Sequence, residues 1–286
     1  MAPSPTPRAD LSSLVASKER FYFALSVAVG IAVYALVGWL LWNSAEARPI
    51  IIMYGLLGIL ASLAMHGFLL GHIRGNGVRV SARQFSNLNA VVAEHSRIFE
   101  MEPPDVFVLQ SGGMLNAFAT RFLGRNFVVL YSDVLAMAEK TGGEAAVSFV
   151  VGHELAHHKR GHLKWRWLVL PARIVPFLGS AYSRACEYTC DRFGAVLAQE
   201  GAVSGLLALA AGRDLYQQVE PRLFANQVES EAGFWTTVSE IFASHPHLTK
   251  RVGALLQAGH AVPSYSPIAA GVMPTRVSTP SARVRI

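Results

Sequence analysis

Two long apolar runs near the start of the chain constrain its fold more than any other feature. Phe21 to Trp42 is 22 residues without a formal charge, and Ile50 to Ile73 is 24 more. A bilayer core about 30 Å thick needs roughly 20 apolar residues in a helix, so each run is long enough to cross it. Aromatic rings that favour the membrane interface lie near their ends: Tyr22, Trp39, Trp42 and Tyr54. The sequence therefore predicts a transmembrane helical hairpin over residues 21–73.

Basic residues flank this hairpin, whereas its connecting loop carries one arginine and one glutamate. Three precede the first run and three follow the second: Arg8, Lys18, Arg20, Arg74, Arg79 and Arg83. Such flanks stay on the cytoplasmic side of a membrane, so we expect a cytoplasmic segment over 1–20 and a cytoplasmic domain after the hairpin. A cleaved signal peptide ending near Ala45-Glu46-Ala47 is the alternative, but a signal core of about 7–15 residues is shorter than the first run.

Composition agrees with partial contact with lipid, since 52% of residues are hydrophobic and 15% are charged. The net charge of +6 would also suit a nucleic-acid partner. However, the basic residues are scattered or lie beside apolar runs, so anionic lipid headgroups explain them more simply, and we expect no nucleic-acid binding. Cys186 and Cys190 share one helical face, where backbone geometry does not favour a disulfide.

Residues 80–263 are predicted to form one α+β domain, mainly helical with a small antiparallel sheet. Hydrophobic spacing predicts helices over 81–99, 145–160, 183–200, 202–219 and 228–242, and strands over 106–109, 115–122 and 127–131. Ser132 or Asp133 can cap a helix, and Thr141 with Glu144 matches a capping box. Residues 264–286, rich in Ser, Pro, Thr and Ala, are predicted to be a disordered tail.

The pattern His-Glu-x-x-His lies on one of these predicted helices, as His153, Glu154 and His157. Residues four apart share a helical face, so both imidazoles can reach one tetrahedral zinc ion. Glu154 can then accept a proton from the water that attacks a carbonyl. The plain alternative is a helix with solvated histidines. The cap, the apolar opposite face and the small Gly152 favour the metal site.

Other histidines need separate interpretations. His158 and His162 are also four apart, but Lys159 stands where a base would be needed, so we expect them to be solvated or bonded to the metal ligands. In the second apolar run we expect His66 to be packed or hydrogen-bonded rather than a ligand. His72 is expected at the membrane interface.

A catalytic zinc ion needs a third protein ligand. Glu187 and Asp191 lie four apart on a second predicted helix, where Glu187 can bind the metal while Asp191 accepts a ring N–H from a zinc-bound histidine. The residues alone fit a solvated acidic pair, balanced by Arg184 and Arg192, equally well. Cys190 is a soft ligand, but a lone cysteine beside two carboxylates more often belongs to the core.

Four motifs in this order resemble metallopeptidase family 48, which includes the membrane protease HtpX and the type-1 CAAX prenyl protease. They are Asn116-Ala117-Phe118-Ala119, His153 to His157, Glu187 to Asp191, and His245-Pro246 with Arg251. The resemblance covers about residues 80–260. It implies a gluzincin-type fold with one Zn²⁺ per chain, bound by His153, His157 and Glu187, and with Glu154 as general base.

The resemblance also implies supporting roles. Asp191 would assist a ligand or donate a proton, and His245 would approach the developing oxyanion. For His245, a simple loop histidine before proline is the alternative. Asn116, Ala117, Phe118 and Ala119 would lie on an edge strand that pairs with an extended substrate. Substrates would be proteins or peptides at a membrane, such as the bacterial inner (cell) membrane.

The chain departs from the resemblance between His157 and Glu187, where relatives often carry further membrane spans. Only 29 residues separate the two side chains here, and the apolar part, Trp165 to Phe177, contains Arg166, Pro171, Arg173 and Pro176. Such a stretch cannot span as a helix. We expect it to lie along lipid headgroups, which argues against substrate entry from within the bilayer.

The sequence thus predicts a membrane-anchored zinc endopeptidase that cleaves membrane or membrane-associated proteins, as in protein quality control. The alternative is a non-catalytic, zinc-stabilised membrane adaptor with the tail as its docking segment. A purely structural zinc site would not need a base at position 154, which favours the enzyme.

Overall fold

The structure, a computed structural model, describes residues 11–110, 116–140 and 142–260. Its helices are α1 (Ser17–Asn43), α2 (Ala47–Asn76), α3 (Ser86–Ile98), α4 (Ser132–Ala136), α5 (Gly143–Lys159), α6 (Arg166–Val169), α7 (Leu178–Leu197), α8 (Ala202–Ala211), α9 (Pro221–Ser230), α10 (Phe234–Phe242) and α11 (Leu248–Gln257). Its strands are β1 (Val78–Arg79), β2 (Asp105–Leu109), β3 (Ala117–Phe122) and β4 (Arg125–Tyr131). Short 3-10 turns connect several of the helices.

Helices α1 and α2 are long and apolar enough to cross a membrane, which indicates membrane association. They are not isolated from the rest of the fold. Glu19, Ser26 and Gly30 are buried on one face of α1, which packs on α7 and on the segment before it. Near the C-terminus of α2, Leu70 and Ile73 pack against the sheet. The hairpin and the domain therefore share buried contacts.

The sheet has the strand order β1-β2-β4-β3, and it is mixed rather than antiparallel as predicted. The β3–β4 hairpin is antiparallel, as its turn residues indicate, but β4 pairs parallel with β2. The predicted hairpin did not specify which of its strands would lie against β2. Residues 127–130 are all buried, because one face of β4 packs on α2 and the other on the helical core. This leaves β3 at the edge of the sheet.

The main core lies between that sheet and helices α3, α5, α7, α8 and α11. Its largest fully buried side chains include Phe99, Phe149, Phe193 and Tyr216. Phe99 and Phe193 meet edge to face with ring centroids 5.4 Å apart, and such pairs stabilise a core beyond their buried area. The core fixes α5 and α7 side by side, and these two helices carry the predicted metal ligands.

Several predicted boundaries were wrong by a turn or more. The helix expected over 202–219 stops at Ala211, because Gly212 adopts a positive φ of 79°. The helix expected over 228–242 is divided into α9 and α10, and α7 begins five residues early, at Leu178. Helix α4 receives no side-chain cap, since Asp133 instead pairs with Arg213 at 2.7 Å. Thr141 and the predicted tail lie outside the described residues.

Candidate active site

Close packing of α5 on α7 brings the predicted site residues together. A Cβ atom added at Gly152 would lie 3.1 Å from the Cα of Gly194, and one at Gly194 would lie 2.9 Å from the carbonyl oxygen of Phe149. The two helices therefore cross where neither has a side chain. Their backbones approach closely enough for the imidazoles of α5 to meet the carboxylates of α7.

The imidazoles of His153 and His157 converge on Glu187. His153 Nε2 lies 3.5 Å from Glu187 Oε2, and His157 Nε2 lies 3.5 Å from Glu187 Oε1. Ligands about 2.1 Å from a tetrahedral zinc ion lie roughly 3.4 Å from each other, so this spacing fits a shared metal ion. The chemistry of the donors, two imidazoles and one carboxylate, fits as well.

The Nδ1 atoms of both histidines point away from this convergence. His153 Nδ1 bonds Asp191 Oδ1 at 3.0 Å, and His157 Nδ1 bonds His162 Nδ1 at 3.0 Å. His162 Nε2 in turn lies 3.2 Å from Glu19 Oε1, to which it donates. A neutral His162 that donates from Nε2 must accept at Nδ1, so His157 Nδ1 carries the proton. The Nε2 atom of His157 therefore keeps its lone pair for a metal ion.

Burial and hydrogen bonding set the charges of these groups. Burial lowers the pKa of His162, which agrees with a neutral ring. Burial would also lower the pKa of His153, but its hydrogen bonds to Asp191 and Glu187 outweigh this effect and raise that pKa to about 10. A metal cation at Nε2 would meet the same two carboxylates in place of that proton.

Arg251 supplies the positive charge behind the two acidic residues. This buried guanidinium bonds Asp191 through Nε at 2.8 Å and Nη2 at 2.6 Å, and its Nη1 lies 3.1 Å from Glu187 Oε2. Burial alone would raise the pKa of Glu187, but the charge of Arg251 outweighs it and holds that pKa well below its usual range. The carboxylate is thus ionised and available as a ligand. Arg184 and Arg192, expected to balance the acidic pair, bond backbone carbonyls instead.

Cys190 also lies close enough to His153 and His157 to share a metal ion with them. Its Sγ, however, lies 3.8 Å from His162 Nδ1, on the side of His157 where Nδ1 is already hydrogen-bonded. Burial raises the pKa of this thiol well above its usual value, which keeps it protonated. Glu187 is therefore the better third ligand. Both cysteines are free, as the sequence indicated.

A cavity of about 850 Å³ opens onto the converging Nε2 atoms. Its walls include Glu154, His245, Phe118 and Ala119, together with Asn116 and Ala117 at the start of β3. His245 Nε2 lies 3.6 Å from Glu187 Oε1, although its side chain is 63% exposed. Arg184 fixes the end of α10 by donating to the carbonyls of Glu240, Ile241 and Ala243, and so holds the loop that carries His245. All the predicted site residues except Asp191 therefore line one cavity, and Asp191 bonds the Nδ1 atom of His153 instead.

Two histidines outside the proposed ligand set, His158 and His66, are also hydrogen-bonded. His158 bonds the Phe127 carbonyl at 3.0 Å, and His66 bonds both the Ser62 carbonyl at 2.7 Å and Arg166 at 2.7 Å. Glu19 and Arg160 were not predicted to belong to the site, yet Arg160 Nη2 pairs with Glu19 Oε1 at 2.8 Å beside His162. Nothing in the sequence around Glu19, a single glutamate between Lys18 and Arg20 before an apolar run, indicates that it contacts the site.

Comparison with known proteins identifies the family of the chain. The model of peptidase family M48 matches residues 82–172 and 165–258, more than half of the chain and every predicted ligand. A plastoglobule-localized metallopeptidase 48 from the chloroplast of Arabidopsis thaliana is 30% identical over 191 residues. That alignment covers 60% of this chain and 54% of the relative, so the chain spans about half of the relative's length. No solved structure matches the chain. The chain therefore belongs to peptidase family M48, a family of metal-dependent peptidases.

Proposed function

We propose that the protein is a membrane-anchored zinc endopeptidase of the gluzincin type, with His153, His157 and Glu187 as ligands. The observation that carries this proposal is the approach of both Nε2 atoms to the Glu187 carboxylate at 3.5 Å. A zinc ion held there would lower the pKa of the attacking water and polarise the substrate carbonyl. Asp191 and His162 orient the two imidazoles through their Nδ1 atoms.

Glu154 is the general base in this proposal. It follows His153 directly on α5, is buried, and lines the cavity beside both ligand histidines. Its carboxylate accepts the proton of the attacking water and passes it to the amine that leaves when the peptide bond breaks. His245, which also lines the cavity, donates a hydrogen bond to the oxyanion that develops on the carbonyl.

The edge strand β3 holds the substrate. One side of β3 pairs with β4, and its other side has no neighbouring strand in the described part of the sheet. An extended peptide can add to such an edge through backbone hydrogen bonds. Asn116 to Ala119 line the same cavity as the ligands, so a peptide paired there passes the reactive centre.

Anchoring by α1 and α2 directs this activity to proteins at a membrane, as in quality control. The basic residues at both flanks of the hairpin support a cytoplasmic position for the domain, as at a bacterial inner membrane. The rival function, a zinc-stabilised adaptor without activity, leaves a buried carboxylate beside the ligands without a role. It costs free energy to bury such a group, so the enzyme accounts better for Glu154.

The test compares Glu154→Gln with wild type in the full-length protein. We expect one zinc ion per chain in both by elemental analysis, and loss of cleavage of unfolded β-casein by at least a hundredfold in the variant. Glu144→Gln, an exposed change on the first turn of α5, is the matched control and should cleave normally. Unchanged cleavage in Glu154→Gln would refute the peptidase proposal. Bound zinc without cleavage in wild type would favour the adaptor.

A further inference from the structure

The cavity beside the site continues along the membrane hairpin. Its walls include Tyr54, Gly58, Ser62 and His66 of α2, which recur every four residues and so share one helical face. Twelve residues of helix correspond to about 18 Å. Tyr54 is 63% exposed although it lines the cavity. The cavity is therefore a groove that is open at the hairpin and leads to the site.

The opposite wall of the groove is formed by α6 and the 3-10 turn Leu170–Ile174. This segment packs on the middle of α1, because Tyr34 Oη donates to the Trp167 carbonyl at 2.5 Å. A Cβ atom at Gly30 would lie 2.2 Å from the Leu168 carbonyl oxygen, so glycine permits this approach. Tyr34 lies about 22 Å along the helix from Glu19. The groove thus lies within the depth of the predicted span rather than at its end.

The lining of the groove is not purely apolar. Ser26 is fully buried beside it, and its Oγ has no hydrogen-bond partner among the residues that the structure describes. Arg166, held by His66 at 2.7 Å, also lines it. A hydrocarbon chain would leave Ser26 Oγ without a partner and would offer the Arg166 guanidinium no further acceptor, and both cost free energy. A peptide brings its own N–H and C=O groups to such positions.

We propose that this groove receives an extended apolar segment of a membrane-borne protein substrate and leads it to β3. The proposal rests on the proposed function and names its substrate class. A chain that leaves the lipid beside Gly58 passes Ser26 and Arg166, then reaches the edge strand and the ligand histidines without leaving the cavity. Entry from the membrane side departs from the expectation for segment 165–177, because that segment packs on the middle of α1 rather than along the headgroups.

The first experiment narrows the groove. Neither Gly58 nor Gly67 has a neighbouring atom within 4 Å of an added Cβ, and nine residues place them on opposite faces of α2. Full-length Gly58→Leu and Gly67→Leu are compared in nanodiscs, with β-casein either free or fused to a 20-residue Leu/Ala transmembrane helix. We expect Gly58→Leu to lower the ratio of tethered to free cleavage at least tenfold. Gly67→Leu should leave this ratio at the wild-type value.

An unchanged ratio in Gly58→Leu, or an equal fall in Gly67→Leu, would overturn the groove as the entry route.

A second measurement, by cross-linking, does not require the enzyme to cleave its substrate. In a Glu154→Gln background, p-benzoylphenylalanine replaces Tyr54 or, as a control at the same depth on the other side of α2, Leu56. We expect the tethered probe to cross-link from position 54 and not from 56. Cross-links only to lipid would overturn the proposal. If wild type cleaves no more than Glu154→Gln, the proposed function fails separately.

Discussion

Replacing Arg251 by methionine tests the electrostatics behind the site. Arg251 is 4% exposed, and its guanidinium bonds Asp191 twice, at 2.8 and 2.6 Å, and Glu187 once, at 3.1 Å. Methionine keeps much of the volume but leaves two buried carboxylates without their shared cation. Removal of one partner from a buried pair costs about 3–5 kcal/mol. For a domain of this size, that corresponds to a fall of roughly 6–20 °C in Tm.

The assay is thermal unfolding of the metal-free, full-length protein in detergent micelles. We expect Arg251→Met to unfold at a Tm lower by about 10 °C, and added zinc to reduce the difference, because a dication supplies charge to the same carboxylates. Asp191→Asn in the Arg251→Met background should recover part of the loss, since one unpaired charge is removed. A Tm for Arg251→Met within 2 °C of wild type, or a double variant less stable than the sum of the single changes, would refute this account of the network.

Two further predictions concern the buried residues Glu19 and His95. Glu19→Gln should weaken zinc binding about 10- to 100-fold, because it removes the carboxylate that orients His162 and, through it, His157. Competition with a chromophoric chelator measures the zinc affinity, and Lys18→Gln, an exposed change, is the control. Equal zinc affinities in Glu19→Gln and wild type would contradict the prediction. His95, 5% exposed, has its pKa lowered by burial to about 4 from 6.5. The unfolded chain therefore takes up the proton first, so stability should be full above pH 6.5 and fall by about 3 kcal/mol as pH drops to 4. His95→Leu should remove that part of the pH dependence in denaturant titrations, and an unchanged slope would contradict it.

The metal-binding motif could be predicted because it is local. His153, Glu154 and His157 lie within one helical turn, so their relative positions follow from helix geometry. The hairpin could be predicted for a similar reason, since length and apolar composition alone decide whether a helix can cross a bilayer. The β3–β4 pairing also follows from a short turn between two strand-like runs. In each case the interacting residues are near neighbours in sequence.

The residues that these motifs contact were harder to predict from the sequence. Glu187 and Asp191 could be placed on a helical face, but the acidic pair could equally have been solvated, and only the Gly152–Gly194 crossing brings them to the histidines. The parallel pairing of β2 with β4 depends on which face of β4 the hairpin helix covers. The helix ends at Ala211 and Ser230 were missed although a glycine, Gly212 or Gly233, follows within three residues of each and is a local signal for a break.

The sequence by itself determined the His-Glu-x-x-His pattern and the two apolar helices, because each is encoded within a few turns of one helix. Only the tertiary structure decided that Glu19 reaches His162 across 143 positions, that Arg251 lies between two carboxylates, and that the cavity runs along α2. These features join residues far apart in the chain. Their contacts depend on how the core orients whole helices, which no local pattern of residues specifies.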